Sequence, residues 1–360
     1  MSTPAAQVYT LKWGILATGG IAQLFVKDLL LDPTTRNVLD VKHVVAAVGS
    51  STSKESAENF ITRVAGDNAH GIRAYGSYAE VLNDPDVKIV YVASPQSHHY
   101  DNVLDALRAG KNVCCEKPFT INARQTAHVV RLAREKGLFL MEAVWTRFFP
   151  ITHEITRLIH TERVLGRINR VWADFSRVFT SGRLFKPELG GGALLDLGVY
   201  SIMWNFLTFY EQNGRKAPKV IGSILKEKES GVDEFTTINM VWDECHAVGT
   251  ASCSLSAQTP RAYCVAIQGE NGDLLIEWPP SRPETYILQL KGQDPVTKTI
   301  PIPGQGLFWE ADACARAIRD GKLEVEEYSL EESLAVMEVV DQVRQANDYI
   351  FPGKLEDVYE

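Results

Sequence analysis

Three glycines open the stretch GGGALLDLGVY (Gly190–Tyr200), and the apolar helix they introduce carries a carboxylate, Asp196, and a phenol, Tyr200, at positions i and i+4. That spacing puts both groups on one helix face. A core tyrosine beside a capping acid is the plain explanation; a pair that binds and deprotonates a hydroxyl is the chemical one. Upstream, in GKNVCCEKPF (Gly110–Phe119), an apolar run ends in Glu116, Lys117 and Pro118. Pro118 restricts Lys117 to extended backbone and can take a cis bond, either of which aims the ammonium. Charges at the carboxyl end of a strand lie where open α/β sheets bind ligands. A surface ion pair is the alternative.

A third group is the turn ATGGIA (Ala17–Ala22). Its glycines follow the first apolar run and open a helix, the context a dinucleotide fingerprint requires. Gly19 lets the backbone approach a pyrophosphate, and the helix after it offers free N–H groups and a positive dipole end. Ala17 and Ala22 stand where G-x-G-x-x-G has glycines, so Ala17, Thr18, Gly19, Gly20 and Ile21 are read as cofactor-binding from context as well as motif. At the end of the second apolar run NAD enzymes usually place an acid for the ribose hydroxyls; this chain has GSSTSK (Gly49–Lys54). The hydroxyls of Ser50, Ser51 and Thr52 and the ammonium of Lys54 suit a 2′-phosphate that a carboxylate would repel, which points to NADP. Ser53 capping the next helix, with Lys54 in solvent, is the plain alternative, and both readings can hold together.

These groups need a scaffold to position them. The first 140 residues alternate apolar runs (LKWGILA, VKHVVAAVGS, KIVYVAS, KNVCCE) with helix candidates at 21–31, 54–64, 78–82, 100–109 and 122–137. Unbroken apolar runs suit strands buried on both faces of a parallel sheet. The alternation predicts an α/β, doubly wound Rossmann domain. After Pro150 a helix candidate at 151–162 and the run RINRVWADFSRV precede the GGG helix. Residues 219–301 read as successive strands, and helices return at 308–320 and 329–347. A second α/β domain with an open, mostly antiparallel sheet is predicted, the two domains covering 1–147 and 148–360, with the terminal helices free to pack back on the first.

Composition narrows the classes. A chain of 360 residues exceeds one comfortable core. A net charge of −8 argues against a nucleic-acid partner. Six cysteines form no C-x-x-C pair and no metal-ligand spacing with histidine, so no metal is expected and all are read as reduced. His98, His128, His153 and His160 read as packing or solvent-facing. With no signal-peptide pattern and no apolar run of membrane length, a cytoplasmic protein without a membrane partner is expected.

EKPF, following SPQSHHYDNVLDALRAGKNVCC, resembles the Gfo/Idh/MocA oxidoreductases. MEAVWTRFFP (Met141–Pro150) and GGGALLDLGVY resemble the branch of NADP-dependent D-xylose 1-dehydrogenases and dimeric dihydrodiol dehydrogenases, to which fungal glucose–fructose oxidoreductase-like proteins are close. The resemblance spans residues 11–350, with three motifs in matching order and spacing. It implies a Rossmann domain followed by an α/β domain whose sheet is often used for dimerisation, hence a homodimer. It also implies that Lys117 lies near the nicotinamide and substrate hydroxyl, with Glu116 and Pro118 beside it at the cofactor. Tyr200 is then the acid/base and Asp196 the carboxylate one turn earlier. Pro95 and His99 match the nicotinamide-side loop, with Ser94 before them read as cofactor-binding, Trp145 and Arg147 match residues that shape the substrate pocket, and Arg183, in SGRLF, is a further pocket candidate.

On that reading a carbinol loses hydride to the cofactor while Tyr200 accepts the hydroxyl proton. A free tyrosine, with a pKa of about 10, is a poor base at neutral pH. A nearby ammonium and a cationic nicotinamide both favour the phenolate. Asp196 binds a substrate hydroxyl or orients Lys117. The expected function is NADP-dependent oxidation of C1 of a pyranose aldose, D-xylose or D-glucose, to the lactone. Three alternatives stay open: a glucose–fructose type sugar-to-sugar oxidoreductase with tightly bound NADP, a trans-dihydrodiol dehydrogenase, and a non-catalytic dinucleotide-binding regulator. Retention of Lys117 and Tyr200 argues against the last.

Overall fold

The computed structural model describes residues 8–359; residues 1–7, part of the segment inspected for a signal peptide, lie outside them. The chain begins with six strands, β1 (Tyr9–Leu16), β2 (Val41–Gly49), β3 (Arg73–Tyr75), β4 (Ile89–Val92), β5 (Asn112–Glu116) and β6 (Leu140–Ala143). Helices α1 (Gly20–Leu29), α2 (Lys54–Ala65), α3 (Tyr78–Asn83), α4 (His99–Arg108) and α5 (Ala123–Lys136) occur between them. All neighbouring strands pair in parallel, in the order β3-β2-β1-β4-β5-β6. Successive side chains serve two separate apolar layers. Trp13, Ile15, Tyr91, Cys114 and Met141 enter one, and Leu16, Val90, Val92, Cys115 and Leu140 the other. This two-sided burial is why the strands read as unbroken apolar runs. The order reverses between β1 and β4, which makes their carboxyl ends the switch point where doubly wound sheets bind dinucleotides.

The next stretch holds α6 (Pro150–Thr156), extended by a π-type turn at Arg157–Thr161, then β7 (Ile168–Ser176). A second π-type turn, Leu194–Gly198, leads into α7 (Val199–Phe209). Strands β8 (Lys219–Lys226), β9 (Asp233–Trp242), β10 (Ala247–Ser254), β11 (Val265–Gly269), β12 (Gly272–Ile276), β13 (Thr285–Leu290) and β14 (Val296–Thr299) complete an eight-stranded sheet. Its order is β14-β13-β12-β11-β7-β10-β9-β8, and β7–β10 is its parallel pair. Helix α7 packs over β7 and β10, and every residue in it is buried. The span Pro187–Phe209 is long and apolar enough to cross a membrane, yet its apolar window is wholly buried within the fold. The opposite face of the sheet is open at Ile221 (76% exposed) and Leu225 (63%), with Val241 and Val248 beside them.

Helices α8 (Leu307–Arg319) and α9 (Leu330–Ala346) follow. The chain divides into two compact units: Met1–Phe119, His128–Phe148 and Ile302–Leu330 form the first, and Thr120–Ala127, Phe149–Pro301 and Glu331–Glu360 the second. Helix α8 returns to the first unit for a polar reason. The Asp28 carboxylate accepts the N–H groups of Gln305 and Leu307 at 3.0 and 2.8 Å, and Arg36 donates to Asp312 at 2.8 Å.

Candidate active site

At the end of β1 the phosphate turn takes an unusual backbone. Ala17 sits at φ 91°, in the region that favours glycine, at a position where the fingerprint has one. The motif mismatch is therefore in side chain and not in conformation. Gly19 caps α1 with extended backbone, no side chain bonds to the helix start, and the first turn carries no acid. A Cβ at Gly19 or Gly20 would meet nothing within 4 Å. Uncapped N–H groups, a positive dipole end and open space are the features a pyrophosphate needs, so the residues present fit a dinucleotide.

Beyond β2, Ser50 is buried and its hydroxyl bonds Thr52 Oγ1 at 2.9 Å. Ser53 caps α2 by accepting the Ser56 N–H at 3.1 Å, while Lys54 is largely in solvent, 3.8 Å from Glu58. A polar groove of about 460 Å³ runs along α2, lined by Thr18, Ser53, Glu55, Ser56, Asn59 and Arg63. Arg63, not Lys54, is the cation in that groove. Sequence reading missed it because it lies more than two helical turns past the strand end.

The loops after β4 and β5 are tied together. Asn102 donates to Ser94 Oγ at 2.7 Å. His99 is buried with both ring nitrogens facing carbonyls, Nδ1 at 2.7 Å from Pro118 O and Nε2 at 2.9 Å from Ser94 O. A neutral ring donates to one of these carbonyls at a time, an imidazolium to both. His99 thus bridges the loop it was assigned to with the Lys117–Pro118 segment, whose peptide bond is cis. Pro95 stands exposed at the turn between. Glu116 is buried and accepts the Tyr91 hydroxyl, and Glu142 Oε1 accepts the Phe119 N–H at 2.9 Å. Lys117 is therefore flanked by residues fixed on both sides. Burial, then the charges of Glu116 and Glu310, push the Tyr91 phenol well up. Glu310, on α8, is fully buried, and among the described residues neither of its carboxylate oxygens has a hydrogen-bond partner. Burial first, then Cys114, Glu116 and Asp28, push its carboxyl well above the usual range.

Trp145 packs against the apolar layer of the first unit, and Arg147 Nε donates to the Glu327 carbonyl at 2.9 Å with its guanidinium over the Tyr328 ring. These contacts hold Arg147 within the unit that carries Lys117.

Arg183, Asp196 and Tyr200 belong to the second unit. Arg183 Nη2 donates to Asp196 Oδ1 at 2.7 Å. Tyr200 is 6% exposed and meets Phe175 edge-on, with ring centroids 5.7 Å apart. The turn holding Asp196 is π-type and not the plain α-helix its apolar pattern suggests. Wider turns of this kind are frequent at functional sites. The preceding glycines have steric reasons: a Cβ on Gly191 would lie 2.5 Å from Leu184 O, and one on Gly192 would overlap Asp233 Oδ1. Nearby, Asp174 accepts the hydroxyls of Ser176, Ser252 and Thr259. Among the described residues no group of three or more His, Cys, Asp or Glu could hold a metal ion.

Comparison with known proteins agrees with this architecture. The oxidoreductase family with NAD-binding Rossmann fold matches residues 11–144, and the GFO/IDH/MocA C-terminal domain matches 153–275. D-xylose 1-dehydrogenase (NADP(+)) of Hypocrea jecorina is 42% identical, over 98% of this chain and 96% of its own. Trans-1,2-dihydrobenzene-1,2-diol dehydrogenase of Macaca fuscata fuscata is 33% identical, over 95% and 98%. Among solved structures, an aldose-aldose oxidoreductase from Caulobacter crescentus aligns with a TM-score of 0.79 at 22% identity, over 94% of this chain and 98% of that one. A 3-ketoreductase from Actinomadura kijaniata, solved with NADP and TDP-benzene, aligns with a TM-score of 0.77 at 23% identity, over the same shares. At such identities the two structures speak for the fold alone. A dinucleotide cradle on a parallel sheet, joined to a mostly antiparallel second sheet, and two family matches that together span most of the chain lead to one assignment: this protein is an oxidoreductase of the Gfo/Idh/MocA family.

Proposed function

We propose that the protein is an NADP-dependent aldose 1-dehydrogenase, oxidising C1 of a pyranose such as D-xylose or D-glucose to the lactone. The observation that carries this reading is 42% identity, along nearly the whole chain, to a D-xylose 1-dehydrogenase that uses NADP(+). NADP is further supported by the absence of an acid from Ser50 to Ser53 and by Arg63 in the groove beside Thr18.

In this mechanism Tyr200 accepts the proton of the C1 hydroxyl, and Lys117 is carried by the dinucleotide-binding unit at the end of β5. Asp196, paired with Arg183 at 2.7 Å, accepts a hydrogen bond from another sugar hydroxyl and so orients the ring. Trp145 and Arg147 shape the pocket wall. When bound, the nicotinamide supplies the hydride acceptor. Ser94, Pro95, Glu116 and Pro118 hold that end of the cofactor, with His99 fixing their loops.

Dihydrodiol oxidation is the second reading, favoured by relatives at 33% identity. It removes hydride from the same kind of carbinol carbon with the same groups. Competition between D-xylose and a trans-dihydrodiol for NADPH formation separates them: higher kcat/KM for the sugar supports the first, the reverse the second.

We also propose a homodimer through the open sheet face. Support comes from the adjacent exposed side chains of Ile221, Leu225, Val241 and Val248, since apolar patches of this kind mark contact surfaces. Light scattering should give twice the chain mass for the native protein and a single chain for Ile221→Asp/Leu225→Asp; a native monomer contradicts it.

A further inference from the structure

The helix that carries Asp196 and Tyr200 begins with no capping side chain from its own first residues. Its anchor comes from elsewhere in the second unit. Asp233, the first residue of β9, accepts the Leu194 N–H on Oδ2 at 2.5 Å and the Thr236 hydroxyl at 3.4 Å. From the C-terminal segment the Tyr349 hydroxyl accepts the Asp233 N–H at 3.3 Å and donates to Gly191 O at 3.5 Å. The glycines make this clasp possible: at Gly192, φ 126°, any side chain would collide with Asp233 Oδ1. The same turn lies against the backbone of Arg183 and Leu184, so the clasp also seats the residue paired with Asp196.

We propose that Asp233 is the positioning residue for Asp196 and Tyr200, its carboxyl fixing the first turn of their helix and, through the three glycines, the Arg183 loop. The proposal rests on the reading of Asp196 and Tyr200 as the reacting groups.

Asp233 is fully buried, and among the described residues its Oδ1 has no hydrogen-bond partner. Burial pushes its carboxyl up to about 7, against the lowering by the Leu194 N–H, the Thr236 hydroxyl and neighbouring backbone N–H groups. No ion pair compensates it among the described residues. The titratable groups on the elements around it include Asp196 and Tyr200 on the helix itself, Arg183 before it, Asp174 on β7, Glu234 on β9, Cys253 on β10, Tyr349 and Arg344, and Lys226 on β8, the register partner of Asp233, whose ammonium lies over the Tyr349 ring and donates to Asp348 O. Burial pushes the Cys253 thiol and the Tyr349 phenol up, which keeps both neutral. Arg344 lies over the Tyr349 ring and donates to Ile121 O, Asp341 and Glu356. Protonated, the Asp233 carboxyl keeps its bond to Leu194 and needs no counter-charge. Ionised, it is an uncompensated buried charge, relieved when the turn opens to water. The helix start is therefore tighter below neutrality than above it.

The test compares wild type, Asp233→Asn and Asp233→Ala by hydrogen–deuterium exchange over residues 190–200, corrected for intrinsic rates across a pH series, alongside steady-state kinetics with D-xylose. Asp233→Ala should exchange about fivefold faster there, the scale of a lost helix cap, and lose kcat with the KM for NADP unchanged. Asp233→Asn, which keeps the acceptor and removes the charge, should restore most of that turnover. It should also abolish the rise in exchange through neutral pH seen in wild type. Wild-type exchange in Asp233→Ala, unchanged kcat despite faster exchange, or a persisting pH step in Asp233→Asn would each overturn the proposal. If Asp233→Ala does not fold, Asp233→Asn decides by its pH response alone. Exchange behaving as expected in a wild-type protein that oxidises no carbinol would leave the clasp standing and overturn the reading of the site.

Discussion

Arg183 and Asp196 are ion-paired at 2.7 Å across a turn that three glycines make possible. The pair is lopsided: the Arg183 side chain is half in solvent while Asp196 is nearly buried. Screening makes such a contact worth little to stability, so its value lies in orienting the carboxylate. Replacing Arg183 by Ala should raise the KM for sugar about tenfold and leave melting temperature and NADP affinity near wild type. Asp196→Asn should act in the same direction and more strongly. Equal losses in NADP affinity would contradict the assignment.

Arg63 gives a prediction about cofactor choice. It lies in the groove with Thr18 and Ser53, whereas Lys54 sits near Glu58 in solvent. Arg63→Ala should raise the KM for NADP about tenfold, the scale of a lost charge-assisted hydrogen bond, without changing that for NAD. Lys54→Ala should do less. Matched effects on both dinucleotides would remove Arg63 from the phosphate site.

Glu310 predicts a pH dependence of stability. Its carboxyl is raised by burial, so the folded state holds the proton more tightly than the unfolded state does. The contribution is fully present below the ordinary carboxylate range and is lost as pH rises toward the folded value, at a slope of at most about 1.4 kcal/mol per pH unit. Glu310→Gln, which fills the same space without titrating, should flatten the decline in melting temperature above pH ~5. Parallel curves for the two proteins would show that folding does not shift the Glu310 carboxyl.

Tyr200→Phe keeps the ring that meets Phe175 and removes the hydroxyl. Turnover should fall by a factor of at least ~100, the low end of general-base contributions. Dinucleotide binding, followed by quenching of tryptophan fluorescence, should stay within twofold of wild type. Retained turnover would move the base to another residue.

Much of the first unit was legible in the sequence because its signals are local. Ile89–Val92 is buried throughout, and Cys114 and Cys115 enter opposite apolar layers, so a continuous apolar run is what a parallel strand must show. Strand β3 escaped for the opposite reason: Arg73–Tyr75 has no fully buried residue. At the site, the family motifs single out Lys117, Asp196 and Tyr200 as candidates, but the contacts that fix the surrounding helices are hidden by separation along the chain. Asp233 bonds Leu194 from 39 residues away, and Asp28 bonds Leu307 from 279. No window on the sequence joins such pairs. Neither the π-type turn at Leu194–Gly198 nor the glycine-like backbone of Ala17 leaves a mark in residue type.

The most direct measurement is NADPH formed per chain when D-xylose, then D-glucose, is given to the purified protein with excess NADP⁺. Accumulation far beyond one equivalent, with equimolar lactone, is the result expected of an aldose 1-dehydrogenase. Absence of NADPH, or formation that stops at one equivalent until a second sugar is added, would contradict it.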